Sequence, residues 1–263
     1  MGFYRTVLVA ALFAASLHAV LSGQTGTGVA NRPQFSSTEK ILERLTAKNP
    51  RSRQEIAVGL GLQDPITRST CTNFDSVETR EETFLKGTSA RIIVIRSDYC
   101  KLMFLVPVIH DGHLWTPLTP IALWTQFSEP SFRLEKFINA DESEIVISNQ
   151  TIDEGTGIAQ RNMTIYKVVG HQVNILFDEP ESVHFSVPDD RNPTNTTFSE
   201  DQTSTFEFLK NTDDDSSRLY IAEKRSTTTN GNSTTVYRTY RWDQSTMTFR
   251  GYAAAPFQKL IHE

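Results

Sequence analysis

The stretch between Glu144 and Pro180 constrains the fold of this chain more than any other part of it. It contains three segments in which apolar and polar residues alternate, for example through Val173, Ile175 and Phe177. Alternation with a period of two is typical of strands that bury one face. Glycines lie between the segments, and glycine readily adopts the positive φ of a tight turn. The stretch therefore predicts three antiparallel strands joined by two hairpins.

Strand patterns continue along most of the chain after residue 70. The apolar runs RIIVIR (91–96) and KLMFLVPVI (101–109) are typical of strands that are buried on both faces. Asp111-Gly112 predicts a two-residue hairpin turn after the second run, and Pro107 predicts that this strand lies at a sheet edge or is broken there. The polar segment 188–204 is predicted to be a loop.

These patterns predict a mainly β protein. We expect an antiparallel meander of about 10 to 12 strands over residues 70–258, preceded by a short helical hairpin. With an offset of 74 residues, EIVI at 144–147 aligns with RLYI at 218–221, and Tyr166 aligns with Tyr240. The alignment favours three modules, either propeller-like or portions of one sandwich, although any meander of hairpins also aligns with itself. The modules would span residues 84–124, 132–187 and 203–257.

A helical hairpin is predicted in residues 36–62. Ser36 and Glu39 have the spacing of a capping box, and Asn49-Pro50 is an N-cap followed by proline at the first helical position. Gly61 is expected to end the second helix.

The segments ILERL and EIAVGLG, joined by KNPRSR, resemble a single helix pair of a HEAT repeat over residues 37–62. No second copy follows in the sequence, so a solenoid is not implied. We expect the pair to pack against the β domain or against a partner.

The first 23 residues have the layout of a secretory signal peptide. Arg5 precedes the uncharged apolar run TVLVAALFAASLHAVL, which is followed by small residues. An uncleaved membrane anchor is the alternative, although the run is short for spanning a bilayer. Residues 24–35 are polar and contain glycine and proline, as in a flexible leader. The protein is therefore expected to be secreted or periplasmic, with no membrane span after cleavage.

Charge and cysteine content narrow the classes of partner. The chain has 26 basic and 31 acidic residues, and its net charge of −5 becomes −6 without the signal segment. An acidic chain without a basic patch argues against a nucleic-acid partner. In an oxidising compartment, Cys71 and Cys100 favour one disulfide bond, with two buried reduced thiols as the alternative.

No recognisable catalytic motif occurs in the chain, and no cofactor or metal is predicted. His110 and His113 flank Asp111 in an H-D-G-H segment that could supply half of a metal site, but a solvated cross-strand pair explains it as well. Acidic clusters could serve a hydrolase, yet we expect them to lie in turns, where aspartate bonds to nearby backbone. These clusters are Asp141-Glu142, Asp153-Glu154, Asp178-Glu179, Asp189-Asp190 and Asp213-Asp214-Asp215.

Aromatic residues provide the candidate binding surface. Strand aromatics usually belong to the core, whereas a row of them exposed on one face would favour a carbohydrate or protein ligand. The candidates are Trp115, Trp124, Tyr166, Tyr240 and Trp242. Four N-x-[ST] sequons also occur, and they are glycosylation acceptors in a host that modifies its secretory proteins. They begin at Asn149, Asn162, Asn195 and Asn232.

Three functional hypotheses follow. The chain resembles uncharacterised secreted β-rich bacterial proteins, a resemblance that implies no named activity. The first hypothesis is an exported, non-catalytic binding or structural module whose ligand is an unknown protein or carbohydrate. The second is an extracytoplasmic hydrolase that uses turn carboxylates, and the third is a protein-interaction module that docks through its helix pair. Convergent acids or histidines in one cleft would favour the hydrolase, and an exposed aromatic or apolar patch would favour the binding module.

Overall fold

Two antiparallel sheets and a helical hairpin form the part of the chain that the computed structural model describes. That part comprises residues 32–153, 158–189, 192–210 and 219–252. The predicted fold class, a mainly β antiparallel protein preceded by a helical hairpin, is confirmed. The predicted signal peptide and most of the predicted leader lie outside the described residues. Within them, no helix has the length and apolar character needed to cross a membrane.

Helix α1 (Thr38–Leu45) begins one residue later than the capping-box pattern suggested. Its N-cap is Ser37, not Ser36, and the Ser37 side chain makes no capping hydrogen bond. The side chains of Ile41 and Leu45, four residues apart, are buried on one face of the helix.

Helix α2 (Pro50–Leu60) has both predicted caps. The Asn49 side chain accepts a hydrogen bond from the backbone N–H of Arg51 at 2.9 Å, and proline occupies the first helical position. Gly61 ends the helix with a φ of 74°, a conformation that glycine adopts without strain.

The first sheet has five strands, and its two central strands are almost entirely apolar. β3 lies between β2 on one side and both β4 and β5 on the other, and β1 forms the edge beyond β2. Burial on both faces explains the continuous apolar runs of β2 and β3. The strands are β1 (Ser76–Glu82), β2 (Ala90–Ser97), β3 (Leu102–His110), β4 (Trp115–Pro117) and β5 (Ile121–Trp124).

Pro107 lies inside β3, which is central and unbroken, so the expected edge or break is wrong. The pairing of β4 with β3 stops at Val108, and the pairing of β5 stops at Leu105. The Pro107 carbonyl points to this gap and accepts a hydrogen bond from the N–H of Leu118 at 2.8 Å. Neither β4 nor β5 pairs with β3 at Pro107, so no strand on this side needs the N–H that proline lacks. β3 itself continues unbroken through this position.

The second sheet has eight strands that follow each other in chain order from β6 to β13. The three strands predicted between Glu144 and Pro180 are β7, β8 and the first half of β9. The segment predicted as a loop at 188–204 contributes instead to β9 and β10, which are the two longest strands. The strands are β6 (Ser131–Glu135), β7 (Glu144–Asp153), β8 (Ile158–Val169), β9 (Gln172–Asp189), β10 (Asn192–Lys210), β11 (Leu219–Thr229), β12 (Asn232–Asp243) and β13 (Thr248–Tyr252).

Three apolar clusters hold these layers together. The first lies between the helical hairpin and one face of the five-stranded sheet, where Ile93 and Ile95 point. The second lies between the two sheets and contains Ile92 and Val94 from the opposite face. The third lies on the other face of the eight-stranded sheet. The sheets therefore form a sandwich, and the strands of the predicted modules 132–187 and 203–257 belong to one continuous sheet.

The eight-stranded sheet curls around the third cluster. Phe177 of β9 and Phe249 of β13 have ring centroids 6.3 Å apart, although three strands separate β9 from β13 in the sheet. Phe137, in the segment between β6 and β7, stacks on Phe208 of β10 with centroids 4.8 Å apart. The curled face is consequently an enclosed interior rather than an open surface.

The two tyrosines aligned by the proposed repeat occupy different environments. Tyr166 packs against the second cluster, between the sheets, whereas Tyr240 is buried in the third cluster on the opposite face. Tyr166 lies opposite Ile145, and Tyr240 lies opposite Ile221. In the alignment Ile221 corresponds to Ile147, so the two hairpins differ in register by two residues.

Candidate functional site

A polar cleft of about 610 Å³ lies at the end of the five-stranded sheet where β1 ends and β2 begins. Carboxylates and hydroxyls form most of its wall, and one tryptophan contributes from β4. The lining residues are Glu81, Glu82, Thr83, Gly87, Thr88, Ser89, Ala90, Arg91 and Trp115.

Arg91 joins three elements along one wall of this cleft. Its Nη1 donates to the Glu39 carboxylate of α1 at 3.0 Å and to the Thr38 hydroxyl, and its Nη2 donates to the Glu81 carboxylate of β1 at 3.2 Å. The guanidinium carbon lies 5.1 Å from the ring centroid of Trp115 on β4. These partners hold the Arg91 side chain in place, and they leave only 25% of it exposed.

Glu39 carries a stabilised negative charge at the rim. A hydrogen bond from its own backbone N–H, with others from Ser37 and Arg91, lowers the pKa of Glu39 to about 2. The carboxylate is therefore ionised at neutral pH, and it offsets the positive charge of Arg91.

Glu81 and Glu82 line the same cleft from opposite faces of β1, as adjacent strand residues must. Glu81 bonds to Arg91 on the face that the helices cover. Glu82 accepts a hydrogen bond from the Ser143 hydroxyl at 3.0 Å, on the face toward the second sheet. The two carboxylates therefore flank the strand and do not face each other as an acid–base pair would.

Trp115 is half-buried and has polar neighbours. Besides Arg91, the His110 ring lies 5.0 Å from it, centroid to centroid, at an interplanar angle of 51°. Trp115 also packs against the first cluster, so its ring forms part of the cleft wall and is not an open binding surface.

The five aromatic residues of the predicted binding surface are distributed over the three clusters. Trp115 and Trp124 pack against the first cluster, Tyr166 packs against the second, and Tyr240 and Trp242 are buried in the third. Burial, with Asp178 nearby, raises the pKa of Tyr166. Of the five, Trp115 lines the cleft.

Tyr240 belongs to a buried polar network in the curled sheet. The carboxylate of Glu223, which has no exposed surface, accepts hydrogen bonds from Tyr240 at 2.8 Å, Arg225 at 2.6 Å and Ser204 at 2.7 Å. Burial raises the pKa of Tyr240, and the carboxylates of Glu179 and Glu223 raise it further. This carboxylate has three donors, so the network is internally satisfied and is not an open site.

A second buried ionic cluster lies between β7 and β8. Lys167 Nζ is 2.7 Å from the fully buried Glu144 carboxylate and 3.0 Å from that of Glu142. The second oxygen of Glu144 accepts a hydrogen bond from the backbone N–H of Phe137 at 3.1 Å. These contacts join the segment between β6 and β7 to β8.

The acidic clusters that are described do not converge. Asp141-Glu142 lies in a turn, as predicted, where the Asn139 side chain accepts from both backbone N–H groups. Asp178-Glu179 lies within β9, so the predicted turn there is wrong. The side chains of the remaining three clusters lie wholly or partly outside the described residues.

The histidines are also separate. The loop after β3 contains four residues and not two, since His110 pairs with Trp115. His113 lies within this loop, so it does not face His110 across the ladder. His184 contacts Asp201 on the exposed surface of β9 and β10. In the described part of the chain, no three His, Cys, Asp or Glu residues are grouped so as to hold a metal ion.

The predicted disulfide bond between Cys71 and Cys100 is confirmed. It joins the segment that follows α2 to the turn between β2 and β3. Both cysteines of the chain are used in it, so the alternative of two reduced thiols is wrong.

The fold and the cleft define a general class: a disulfide-bonded antiparallel β sandwich with an acidic cleft at the end of one sheet. Comparisons with protein-family models, curated proteins and solved structures found no match to the chain.

Proposed function

We propose that the protein is an exported, non-catalytic binding module whose cleft receives a positively charged group of a partner protein. The main support for this proposal is the negative charge of the cleft. Glu81 and Glu82 line it, and Arg91, the one basic residue among the lining residues, already bonds to Glu39 and Glu81. The excess negative charge would attract a lysine or arginine side chain of the partner.

Export is supported by two separate observations. The disulfide bond is typical of proteins that fold in an oxidising compartment. The apolar run after Arg5 is typical of a signal peptide.

A protein ligand is favoured over a carbohydrate by the surroundings of Trp115. Sugars commonly bind on an exposed aromatic face, whereas this ring is only partly exposed and has both Arg91 and His110 about 5 Å from its centre. The hydroxyls of Thr83, Thr88 and Ser89 could accept hydrogen bonds from an ammonium or guanidinium group.

The two alternatives have less support. A hydrolase would need facing carboxylates, and Glu81 and Glu82 project to opposite faces of β1. Docking through the helix pair would need a free apolar face, and Ile41, Leu45 and Ile56 are already packed in the first cluster.

The test measures the binding of fluorescent peptides with a central lysine or arginine in a neutral sequence, alongside a glycan array. We expect Glu82→Gln to weaken peptide binding about tenfold, which corresponds to about 1.4 kcal/mol. The amide oxygen can still accept the Ser143 hydrogen bond, so the fold should be preserved. Added salt should weaken wild-type binding, because the attraction is between partly exposed charges.

Glu55→Gln is the matched control, because Glu55 is an exposed glutamate on α2 that pairs with Arg51 and is not among the residues that line the cleft. It should bind the peptides as the wild type does. Equal affinity of the wild type and Glu82→Gln would contradict the proposal, and so would binding to glycans without binding to basic peptides.

A further inference from the structure

Three of the four sequons have side chains that the structure describes, and the fold exposes these three to different degrees. The side chain of the fourth, Asn195, lies outside the described part. Asn232 is the first residue of β12 and follows the tight turn Asn230-Gly231, in which both residues have a positive φ, of 48° and 82°. The three sequon residues, Asn232, Ser233 and Thr234, are all exposed. A hairpin tip of this kind leaves room for a bulky substituent.

Two other sequons lie in a crowded part of the same sheet. Asn149 on β7 and Asn162 on β8 are directly opposite each other, and both are only partly exposed. The Asn162 Nδ2, the atom that a glycan would modify, donates to the Asp178 carboxylate at 3.1 Å. The Asn149 Oδ1 is buried. A glycan on either residue would compete with its neighbour or with these contacts.

We propose that Asn232 is an acceptor for an N-linked glycan. The donor would be an oligosaccharide linked through pyrophosphate to a lipid. The Asn232 Nδ2 loses one proton to the base of the transferase and forms a bond to the anomeric carbon. The bond between that carbon and the pyrophosphate oxygen breaks, the lipid pyrophosphate leaves, and nothing is oxidised or reduced.

The disulfide bond gives independent support, because disulfide formation and N-glycan transfer both occur on the exported side of a membrane. The proposal does not depend on the function proposed for the cleft, which lies in the other sheet.

A glycan at Asn232 would also protect a strand edge. β13 pairs only with residues Thr239–Asp243 of β12. In the described structure, residues 232–238 of β12 therefore pair on one side only, with β11, and they are exposed. Open strand edges promote pairing between molecules, and a bulky hydrophilic group beside such an edge opposes it.

The test expresses residues 1–263 in a eukaryotic secretory cell line. Secreted and intracellular pools are both digested with an amidase that removes N-glycans in heavy-oxygen water, and the labelled peptides are mapped by mass spectrometry. We expect the heavy label at Asn232 in most molecules. Asn232→Gln removes the acceptor, and Thr234→Ala removes the hydroxyl residue of the sequon. Each variant should lower the mass of the intact protein by one glycan.

Asn162→Gln is the matched control and should leave the glycan at Asn232 in place. The proposal would be overturned if both pools lack a glycan at Asn232, or if the mass removed by Asn232→Gln does not correspond to a glycan. A glycan on Asn149 or Asn162 in molecules whose Asn232 is unmodified would also overturn it.

Discussion

The two sheets of this protein bury their residues by different means. The central strands of the five-stranded sheet are apolar on both faces, with Ile93 and Ile95 under the helices and Ile92 and Val94 against the second sheet. The curled face of the eight-stranded sheet contains buried charges among its apolar residues. The first sheet is therefore stabilised by close packing, while the second depends on complete sets of polar partners.

This difference has a consequence for tolerance to mutation. In a close-packed apolar layer, the cost of a substitution follows the volume removed. In a buried ionic cluster, the cost depends on whether a charge loses its partner, and removing both charges together can cost less than removing one.

The largest effect is expected for Phe104→Ala in β3. Phe104 is fully buried in the first cluster, under the helical hairpin. Its removal should lower the free energy of unfolding by about 4 kcal/mol, because a cavity remains in a close-packed layer. Urea unfolding followed by tryptophan fluorescence measures this change.

The control is Val58→Ala, at a position on α2 that is 53% exposed. It should change the free energy of unfolding by less than about 0.5 kcal/mol. A similar small change for Phe104→Ala would show that the helices do not seal this face.

A smaller loss of stability is expected for Lys167→Met in β8, and a second substitution should reverse most of it. It should cost about 3 kcal/mol, because the Glu144 carboxylate would remain buried without its main counter-charge. Adding Glu144→Gln removes that charge and keeps an acceptor for the backbone N–H of Phe137, so most of the loss should be recovered. The same unfolding assay measures Lys167→Met, Glu144→Gln and the double variant. If the double variant is as unstable as the sum of the two single variants, packing and not charge governs this site.

The smallest effect concerns the rim of the cleft and depends on pH. The folded-state pKa of Glu39, about 2, lies below its ordinary value of 4.5, so the unfolded state binds this proton more readily. Its contribution to stability is therefore present above about pH 4.5 and is lost as the pH falls toward about 2. Glu39→Gln should show a smaller decrease in melting temperature between about pH 5 and about pH 3 than the wild type. Because Glu39 is exposed, high salt should reduce the difference between the two proteins. An identical acid response at low salt would contradict the role assigned to Arg91 and Ser37.

The sequence predicts the regular parts of the fold well. The period-two alternation at Val173, Ile175 and Phe177 identifies a strand because one face must be buried. Asn49 and Gly61 identify the ends of α2 because each residue satisfies a specific requirement of a helix terminus. The chain has only two cysteines, Cys71 and Cys100, and an expected oxidising compartment is enough to predict their disulfide bond, which the structure confirms.

Other elements could not be found in this way. β10 begins in a polar, threonine-rich segment without apolar alternation. This start is a strand because β9 pairs with it, and β11 pairs with β10 from Glu200 onward. The carboxylates of Asp178-Glu179 resemble those of a turn, yet they lie within β9, where Asp178 bonds to Thr164 of β8 and Glu179 bonds to Arg225 of β11. In both places partners distant in sequence outweigh the local preference.

The cleft is not predictable from local pattern either. Arg91 lies at the start of an apolar run, and one of its hydrogen-bond partners, Glu39, is 52 residues away in the sequence. Only the tertiary structure brings α1, β1 and β4 to the same place. The aromatic residues were prominent in the sequence, but most of them fill the cores.

The strand order of the second sheet also indicates which folding steps should be fast and which should be slow. From β6 to β13 each strand pairs with its neighbours in the sequence, so this sheet can grow hairpin by hairpin with short loops to close. The hydrogen bonds between Ser143 and Glu82, and between Glu142 and the backbone of Lys86, join residues 61 and 56 positions apart. These contacts must wait for a much longer loop to close. We therefore expect the joining of the two sheets, and not the growth of either one, to limit the folding rate.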